Sequence, residues 1–582
     1  MIGRLVAFTV LCLAVFRASG VVLMPDATEI VIRKNASPTV AFAARELGQM
    51  LGESFGRRVP TVNRPTGGRV SVVLGENSWS RAAGLDVSSL ARDAFYIRSE
   101  TNRVFIIGRD HASRSPLSGK TERATLFGVY EFLHRFAGVR MYFPGELGTV
   151  VPQTKAISIP EGLLMIAPDY TVRRYGPNDG FVPAEAVKTS GLKDETTFKK
   201  VNELRLRMET QNIPCCHGQL RSRFYRRFHE THPEYFVMGK DGRRHPTEAK
   251  GKPLFNKEHV CNSSGIWNEI YLDARAYLSG AAPDVRKIPN AKGTGYVRGP
   301  GEGGRYYDVM PHDGFVDCRC DACQGCYDKS KANYATDLIW SNTVAVARRL
   351  RTDGIPGFVV QMAYYPYADV PDVDIPDNVL VMVAQQGPWA STGGGDPDAL
   401  VKAWTTKLGH KVWLWTYPGK LYDRACPGIP QMSPHAWGNY FARLKDHIVG
   451  GFAESESDRW IYNYLNYYVF SRVCWNAEVD IDALLNEHHH LMFGAGAEPM
   501  KRFFESLEQK WVNGLVRNVS MGKLGPEVTM PSFDEIWLKI YSPETMSGYA
   551  ALFAQAAGAV VPQSLEARRI AFMRRELLEP LM

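Results

Sequence analysis

Eight short apolar segments recur between residues 168 and 456, and each of them ends in polar or aromatic residues. Stretches with helical spacing of apolar residues lie between several of them, for example Tyr334–Arg351 and Asp398–Leu408. Strands that alternate with helices predict a parallel sheet, and eight such units predict a (β/α)8 barrel of the TIM type, with active-site groups at the carboxyl ends of the strands. The predicted strands are Thr171–Tyr175, Glu203–Ile213, His259–Asn262, Tyr306–Asp313, Gly357–Tyr365, Val379–Gln386, Lys411–Tyr417 and Val449–Glu456.

The chain on either side of the predicted barrel, residues 166–478, has a different pattern. Residues 21–165 combine short β-branched segments such as Val70–Leu74 with amphipathic stretches such as Thr125–Leu133, which predicts a small α/β domain. In residues 479–582 the apolar residues follow helical spacing, so we expect a helical C-terminal region. The loop between the second and third predicted strands, residues 214–258, contains no clear helix and is expected to cover the barrel mouth.

The first 20 residues are typical of a secretory signal peptide. Arg4 supplies a positive charge, Leu5–Phe16 is a largely apolar run, and Ala18-Ser19-Gly20 offers small residues for cleavage. The run is too short to span a bilayer, although Arg17 beside the cleavage point leaves an uncleaved anchor as the alternative. We therefore expect export to the periplasm or the medium, and no stable membrane insertion after cleavage.

Composition excludes several classes of protein. The 69 Lys and Arg against 61 Asp and Glu give a net charge of +8, which is weak over 582 residues and does not indicate a nucleic-acid partner. With 45% apolar and 22% charged residues the chain is neither disordered nor fibrous. Aromatic residues make up 11%; their rings could stack on sugar faces, but a large core explains such a content equally well.

Four cysteines are crowded into one short segment after the fourth predicted strand. Cys318, Cys320, Cys323 and Cys326 have a spacing that allows several thiolates to converge on one ion, an arrangement that tetrahedral Zn²⁺ prefers. An oxidising compartment would favour disulfides instead, and free thiols are the third alternative. Cys261 is a candidate remote partner of this group. We expect no cofactor for catalysis, and at most a structural zinc ion.

Carboxylates at two predicted strand ends form a candidate catalytic pair. Asp313 follows the fourth strand, and Glu454 and Glu456 share one face of the eighth strand if it continues that far. Glycoside hydrolysis needs two carboxyl groups, one that protonates the leaving oxygen and one that acts as base or nucleophile. Asp308 is a reserve candidate. The alternative interpretation is that Asp313 caps a turn and that 454–458 is a solvated loop.

The other predicted strand ends are rich in groups that bind polyols. Amides, phenols, indoles and cationic groups at a concave surface can donate hydrogen bonds to hydroxyls and stack on C–H faces. Each such residue alone is more often structural, and it is their density at successive strand ends that indicates sugar binding. The candidate substrate-binding residues are Arg174, His217, Asn262, Tyr364, Gln386, Trp415 and Tyr417, with Trp389 nearby.

Three strings in the N-terminal region carry a resemblance to a known family: Ile106-Ile-Gly-Arg-Asp110, Thr125–Leu133 and Gly138–Gly148. They resemble the N-terminal domain of alpha-glucuronidases, which is itself similar to the domain before the barrel of beta-N-acetylhexosaminidases. The central region resembles a bacterial family of uncharacterised barrel proteins, a domain of unknown function. The matching residues there are His217, His232–Phe236, Val260-Cys261-Asn262, Asp313 with Cys318, Cys320 and Cys323, and Trp415 with Tyr417.

The resemblance implies a glycoside hydrolase, and the residues suggest Asp313 as its general acid and Glu454 as its base or nucleophile. Two alternatives belong to other classes. A barrel that has lost its chemistry could bind carbohydrate without cleaving it. A polysaccharide lyase would need a Tyr or His base and a charge-neutralising Arg, for which Tyr364 and Arg174 are candidates. The sequence leaves the sugar, the anomeric outcome and the oligomeric state open.

Overall fold

The computed structural model describes residues 17–176, 180–211, 213–244, 259–288, 302–388, 395–419, 428–522 and 525–582. Most of the expected signal peptide, residues 1–16, therefore lies outside the described residues. The first strand, Arg17–Leu23, crosses the expected cleavage point after Gly20 and pairs with Ile157–Ile166. No helix in the described ranges is both long enough and apolar enough to cross a bilayer.

A mixed sheet forms the N-terminal region. Its seven strands are β1 Arg17–Leu23, β2 Thr28–Val31, β3 Thr61–Val62, β4 Val70–Leu74, β5 Phe95–Glu100, β6 Arg103–Gly108 and β9 Ile157–Ile166, while β7 Arg140–Met141 and β8 Thr149–Val150 pair separately. The strand order is β1-β9-β5-β6-β4-β2-β3. The helices Pro38–Phe55 and Ala124–Phe136 share a buried core with this sheet, in which Leu47 and Leu133 are fully buried. Ser37 caps the first helix by accepting a hydrogen bond from Val40 N–H.

A six-stranded parallel sheet forms the central region. Its strands are β10 Val172–Tyr175, β11 Tyr306–Asp308, β12 Phe358–Ala363, β13 Val379–Gln385, β14 Val412–Gly419 and β15 Ile448–Ser455, in the order β10-β15-β14-β13-β12-β11. All neighbouring pairs are parallel, so the six carboxyl ends lie at one edge. Successive side chains alternate between two layers. Val381 and Leu414, for example, pack in the core with the helices, whereas Met362 and Met382 belong to a separate inner cluster.

The helices of the central region cover the outer face of this sheet. In the N-terminal and central regions the α-helices are Pro38–Phe55, Ser78–Ala82, Ala124–Phe136, Ala184–Ser190, Glu195–Arg205, Gly218–Arg221, Phe224–Phe228, Ile266–Leu278, Thr336–Thr352, Ala399–Leu408, Pro434–Arg443 and Tyr464–Trp475. The rings of Trp340 and Trp404 contact each other at 4.5 Å between centroids with tilted planes, and each donates its indole N–H to a backbone carbonyl.

The C-terminal region continues the same core. Its helices are Ile481–Phe493, Ala497–Gln509, Phe533–Glu535, Pro543–Ala559 and Leu565–Met573, and three are extended by wider turns at Lys510–Leu515, Ile536–Ile540 and Arg574–Leu578. Their apolar faces and the outer layer of the parallel sheet form one hydrophobic cluster. The region is not wholly helical, because the antiparallel strands β16 Val519–Gly522 and β17 Gly525–Val528 interrupt it.

Two of the eight predicted strands are wrong. Residues 203–211 lie at the end of the helix Glu195–Arg205 and in irregular chain after it. His259–Asn262 is irregular apart from one bridge between Val260 and Phe236. The described strands therefore form an open sheet with β10 and β11 at its edges, and the complete eight-stranded barrel of the sequence prediction is not present in the described residues.

The misleading alternation in residues 203–213 has a physical cause in the contact between two regions. Leu204 and Met208 are fully buried, while Arg205 and Arg207 between them pair with Glu46 and Glu131 of the N-terminal region at 2.8 and 2.9 Å. The alternation of apolar and charged residues is therefore caused by the interface with the N-terminal region, and not by the two faces of a strand. The same segment still lies against β10, because Glu209 N–H donates to Arg173 O at 2.9 Å.

Candidate active site

The mouth, as we call it, is the set of inward-facing side chains at the carboxyl ends of the parallel strands. Strand register brings these side chains side by side: Arg174 pairs with Phe452, Phe452 with Trp415, and Trp415 with Ala384. The mouth consists of Arg174, Asp308, Tyr364, Trp415, Tyr417, Phe452 and Glu454. Its position is the one where parallel α/β sheets bind their ligands.

Glu454 lies on β15 at the centre of the mouth. Its carboxylate accepts a hydrogen bond from Trp415 Nε1 at 2.8 Å, and only 8% of the residue is exposed. Trp415 in turn packs edge-on against Phe452 at 4.7 Å between centroids. The Arg174 guanidinium stands 5.0 Å above the Phe452 ring and pairs with Glu209 at 3.4 Å. Neighbouring side chains thus hold Glu454 in a fixed orientation at the base of the mouth.

The sequence predicts that Asp313 ends a strand, but in the structure it lies in the loop after β11. The strand stops at Asp308, shortly before Pro311, which lacks the N–H that a parallel ladder needs. The Asp313 side chain is 39% exposed, and its Oδ2 lies 3.4 Å from His217 Nε2. His217 precedes the short helix Gly218–Arg221 with a left-handed backbone, at a φ of 54°.

Two further histidines surround this pair. The His312 ring lies 4.8 Å from the His217 ring and 5.6 Å from the His259 ring, measured between centroids. His312 Nδ1 is also 2.9 Å from the carbonyl oxygen of Asp313. Three histidines from three separate segments therefore lie close to one another, and one of them, His217, contacts the carboxylate of Asp313.

Tyr364 and Tyr417 are two phenols of the mouth that experience the charge of both carboxylates. Their phenols hydrogen-bond to each other, and burial raises the pKa of both well above the usual range. Negative charge from Asp313 and from Glu454 raises both pKa values further. The same two phenols therefore experience the charge of both carboxylates, one from the loop after β11 and one from β15.

Asp308 holds irregular chain against the edge strand β11. Its carboxylate accepts hydrogen bonds from Cys216 N–H at 2.7 Å and from Met310 N–H at 2.9 Å. Burial raises its pKa to about 6, partly offset by these two hydrogen bonds and by Arg221. Burial also raises the pKa of the Cys216 thiol to about 12, and the charges of Asp308, Asp313 and Glu454 add to this.

The remaining residues expected from sequence occupy other positions. Asn262 is buried beside Cys261, and its amide donates to Val260 O at 3.3 Å, so it faces its own segment and not the mouth. Glu456 lies just past the end of β15, where its carbonyl accepts from Gln431 Nε2 at 3.1 Å, and Gln386 follows β13 directly. Both are half-buried. Trp389 lies outside the described residues.

Sequence reasoning missed four residues near the mouth: Phe452, His259, His312 and Glu527. Phe452 and His312 could have been found, because Phe452 alternates with Glu454 on the same strand and His312 directly precedes Asp313. His259 is brought there by its contact with His312. Glu527 could not have been found, since it belongs to the hairpin β16–β17 of the C-terminal region. Its charge is one of the causes that raise the pKa of Tyr364, after burial, Asp313 and Glu454.

Four cysteine sulfurs converge next to the loop that carries Asp313. The Sγ atoms of Cys261, Cys318, Cys320 and Cys323 all lie within 4.8 Å of one another, and all four residues are buried. Cys326 is outside this group: its sulfur lies 3.3 Å from Ala322 O and 3.5 Å from Ser263 Oγ. Every described cysteine is free of disulfide bonds. The candidate remote partner Cys261 therefore occupies the place expected for Cys326.

Comparison with known proteins supports a glycosidase-like fold. Residues 300–505 match the model of a family described as a domain of unknown function, DUF4838. No curated protein sequence matches the chain significantly. A solved family GH115 4-O-methyl-alpha-glucuronidase, BtGH115A, with specificity for decorated arabinogalactans, is similar over 96% of this chain and 72% of its own, at a TM-score of 0.50 and 14% identity.

Two further solved structures are similar at lower scores. One is a GH138 enzyme that targets pectin rhamnogalacturonan II, with a TM-score of 0.47, 12% identity and coverage of 94% of this chain and 84% of its own. The other is the GH20 beta-N-acetylhexosaminidase from Streptomyces coelicolor A3(2), with a TM-score of 0.40, 11% identity and coverage of 86% and 94%. At these identities the likeness concerns the fold alone.

Proposed function

We propose that this protein is a glycoside hydrolase that cleaves an oligo- or polysaccharide by acid–base catalysis with paired carboxylates. The observation that carries the proposal is the placement of two carboxylates at the same edge of the parallel sheet: Glu454 is held by the Trp415 indole on β15, and Asp313 lies beside His217 in the loop after β11. Glycoside hydrolysis requires two such carboxyl groups, one to protonate the leaving oxygen and one to act as base or nucleophile. The fold of the GH115 enzyme is consistent with this assignment.

The surroundings of the two carboxylates favour different roles for them. Asp313 is half-exposed beside the His217 imidazole and lies on a loop, where it can reach the oxygen of a leaving group at the rim. Glu454 is buried on a strand and is oriented by the Trp415 indole, as a base or nucleophile must be when it acts from the floor of a site. We therefore assign Asp313 as general acid and Glu454 as base or nucleophile.

The aromatic groups around Glu454 suit a sugar ring. Trp415 packs edge-on against Phe452, and Tyr417 lies two residues further along β14. Aromatic rings, with the polar tips of Trp and Tyr, are groups that commonly bind the C–H faces and hydroxyls of carbohydrates. Arg174 adds positive charge to the mouth, but it is already paired with Glu209.

The lyase alternative is less well supported. A lyase would use the Tyr364 phenolate as base, but burial raises the pKa of Tyr364, and nearby Asp313 and Glu454 raise it further, which disfavours that phenolate near neutral pH. The binding-only alternative predicts sugar binding that survives the loss of both carboxylates, and an activity screen distinguishes it directly.

The test is a screen of the purified protein against aryl glycosides and plant and marine polysaccharides, with reducing ends and unsaturated products measured separately. We expect reducing ends from at least one substrate. On that substrate Asp313→Asn and Glu454→Gln should each lower turnover by ~10²–10⁴-fold. Glu456→Gln is the matched control on the same strand end and should retain most activity. Unsaturated products, or near-native rates in both variants, would contradict the proposal.

We also propose that the protein is exported and that its substrate is extracellular or periplasmic carbohydrate. The support is the charged, apolar and small-residue order of residues 1–20. Mass spectrometry of the protein recovered from the periplasm or medium should show a mature chain that begins near Val21. Recovery of the intact chain from the cytoplasm alone would contradict this.

A further inference from the structure

The four converging sulfurs have the spacing of a metal site. Zinc bound by four thiolates at ~2.3 Å in a tetrahedron places the sulfurs ~3.8 Å apart. Three of the separations in the cluster are 3.3 Å for Cys318 to Cys320, 3.7 Å for Cys261 to Cys320 and 3.5 Å for Cys261 to Cys323. We propose that Cys261, Cys318, Cys320 and Cys323 bind one Zn²⁺ ion as a closed structural site.

The chemistry of the surroundings fits a doubly negative tetrathiolate centre. Met238 N–H points at Cys318 Sγ at 3.3 Å, and the Arg244 guanidinium hydrogen-bonds to the side chain of Cys320. Arg244 is itself held by the carbonyls of Glu234 and Phe236 at 3.1 and 2.8 Å. Donors of this kind around the ligand sulfurs stabilise the thiolate charge and orient the ligands. Four buried ligands leave no open position for substrate, so the site is structural.

The site connects segments that are distant in sequence. Cys261 lies two positions after His259, and Cys318 follows Asp313 in the loop after β11. A third segment, which contains Met238 and Arg244, contacts the cysteine sulfurs and precedes the undescribed residues 245–258. An ion bound by Cys261 and Cys318 would therefore anchor the two segments that carry His259 and His312, whose rings are 5.6 Å apart beside Asp313. This inference is independent of the proposed hydrolase activity.

The first test measures the metal content of the full-length protein by inductively coupled plasma mass spectrometry. The protein is purified without chelators from cells grown with zinc. We expect about one zinc per chain. Cys320→Ser should lose the zinc and melt at a lower temperature. Cys326→Ser is the matched control, since Cys326 belongs to the same loop but not to the cluster, and it should keep the zinc and the melting temperature of the wild type.

The second test does not depend on whether the Cys320→Ser variant folds. Exchange of the metal in the wild-type protein for Co²⁺ should give the strong charge-transfer and visible bands of tetrahedral cobalt thiolate, and Cys326→Ser should give the same spectrum. A wild-type protein without zinc, a protein that contains iron instead, disulfides among the four cysteines, or equal loss of metal in Cys326→Ser would each overturn the proposal.

Discussion

The interior of the parallel sheet is enclosed in two different ways. On one side, β12 to β15 supply regular strands whose alternate side chains fill the interior and the helix-facing core. On the other side, between β10 and β11, irregular chain takes their place and contributes Ile213 and Cys215 to the same interior cluster. The irregular side also buries apolar residues such as Met208 and Phe236. It adds polar contacts: two ion pairs to the N-terminal region, the carboxylate of Asp308, the histidines and the cysteine cluster.

The side chains on the two sides of the mouth are positioned by different kinds of contact. Glu454 and Trp415 lie on the neighbouring strands β15 and β14, and the pairing of these strands sets their relative position. Asp313 and His217 are positioned by individual contacts between segments far apart in sequence. We therefore expect single substitutions on the irregular side to disturb the site more than comparable substitutions elsewhere.

The largest effect on stability is expected where the irregular side and β10 meet the N-terminal region. Arg173 and Asp93 form an ion pair at 3.0 Å with both side chains fully buried. Asp93→Ala leaves a buried guanidinium without its counter-charge, so the free energy of unfolding should fall by ~3–5 kcal/mol. Denaturant unfolding measures this. The exposed pair of Arg81 and Glu76 is the control, and Glu76→Ala should cost at most ~1 kcal/mol. Equal losses would mean that the buried pair adds nothing.

A pH-dependent effect is expected at Asp308, where the irregular chain is attached to β11. Its pKa in the folded protein, about 6, is above the usual 3.8 because of burial. A carboxyl group with a raised folded pKa is more protonated in the folded state, so stability falls as pH rises from about 4 to about 6. The fall due to this group should approach ~3 kcal/mol. Asp308→Asn should remove that part of the pH dependence. An unchanged profile of unfolding free energy against pH would exclude this origin.

A smaller loss is expected from a methyl group at Gly218, which directly follows His217. A Cβ there would stand 2.1 Å from the carbonyl oxygen of Asp308 and 2.6 Å from its carboxyl carbon. Gly218→Ala should therefore push the helix Gly218–Arg221 away from β11 and cost ~1–3 kcal/mol. Gly304→Ala is the control, since nothing lies within 4 Å of a Cβ at that position. Thermal unfolding of the two variants compares them, and a Gly218→Ala variant as stable as Gly304→Ala would show that the irregular chain adapts freely.

The same contrast explains what the sequence could predict. Six predicted strands are confirmed, and five of them have nearly the observed bounds, because apolar runs such as Val379–Gln385 carry a local signal. The sixth, predicted at Tyr306–Asp313, ends at Asp308. The N-terminal α/β pattern and most C-terminal helices are local in the same sense. The strands predicted at residues 203–213 and 259–262 are wrong, since the structure there depends on ion pairs, on a single bridge and on cysteines brought from elsewhere.

The candidate site divides along the same line. Glu454, Trp415, Tyr417 and Arg174 follow from strand ends and alternation, so the sequence could bring them together. The contact of Asp313 with His217, the place of Cys261 in the cysteine cluster and the approach of Glu527 to Tyr364 depend on long-range folding. No periodicity in the sequence could have predicted these three contacts.

We infer that Asp313, from the irregular side, and Glu454, from the regular strands, act on one bond. The most direct test is the turnover of Asp313→Asn, Glu454→Gln and the double variant on a substrate that the wild type hydrolyses. Groups that act as a unit are not additive, so the double variant should be about as slow as the slower single variant. Two single variants at near-native rates, or losses that simply multiply in the double variant, would contradict the claim.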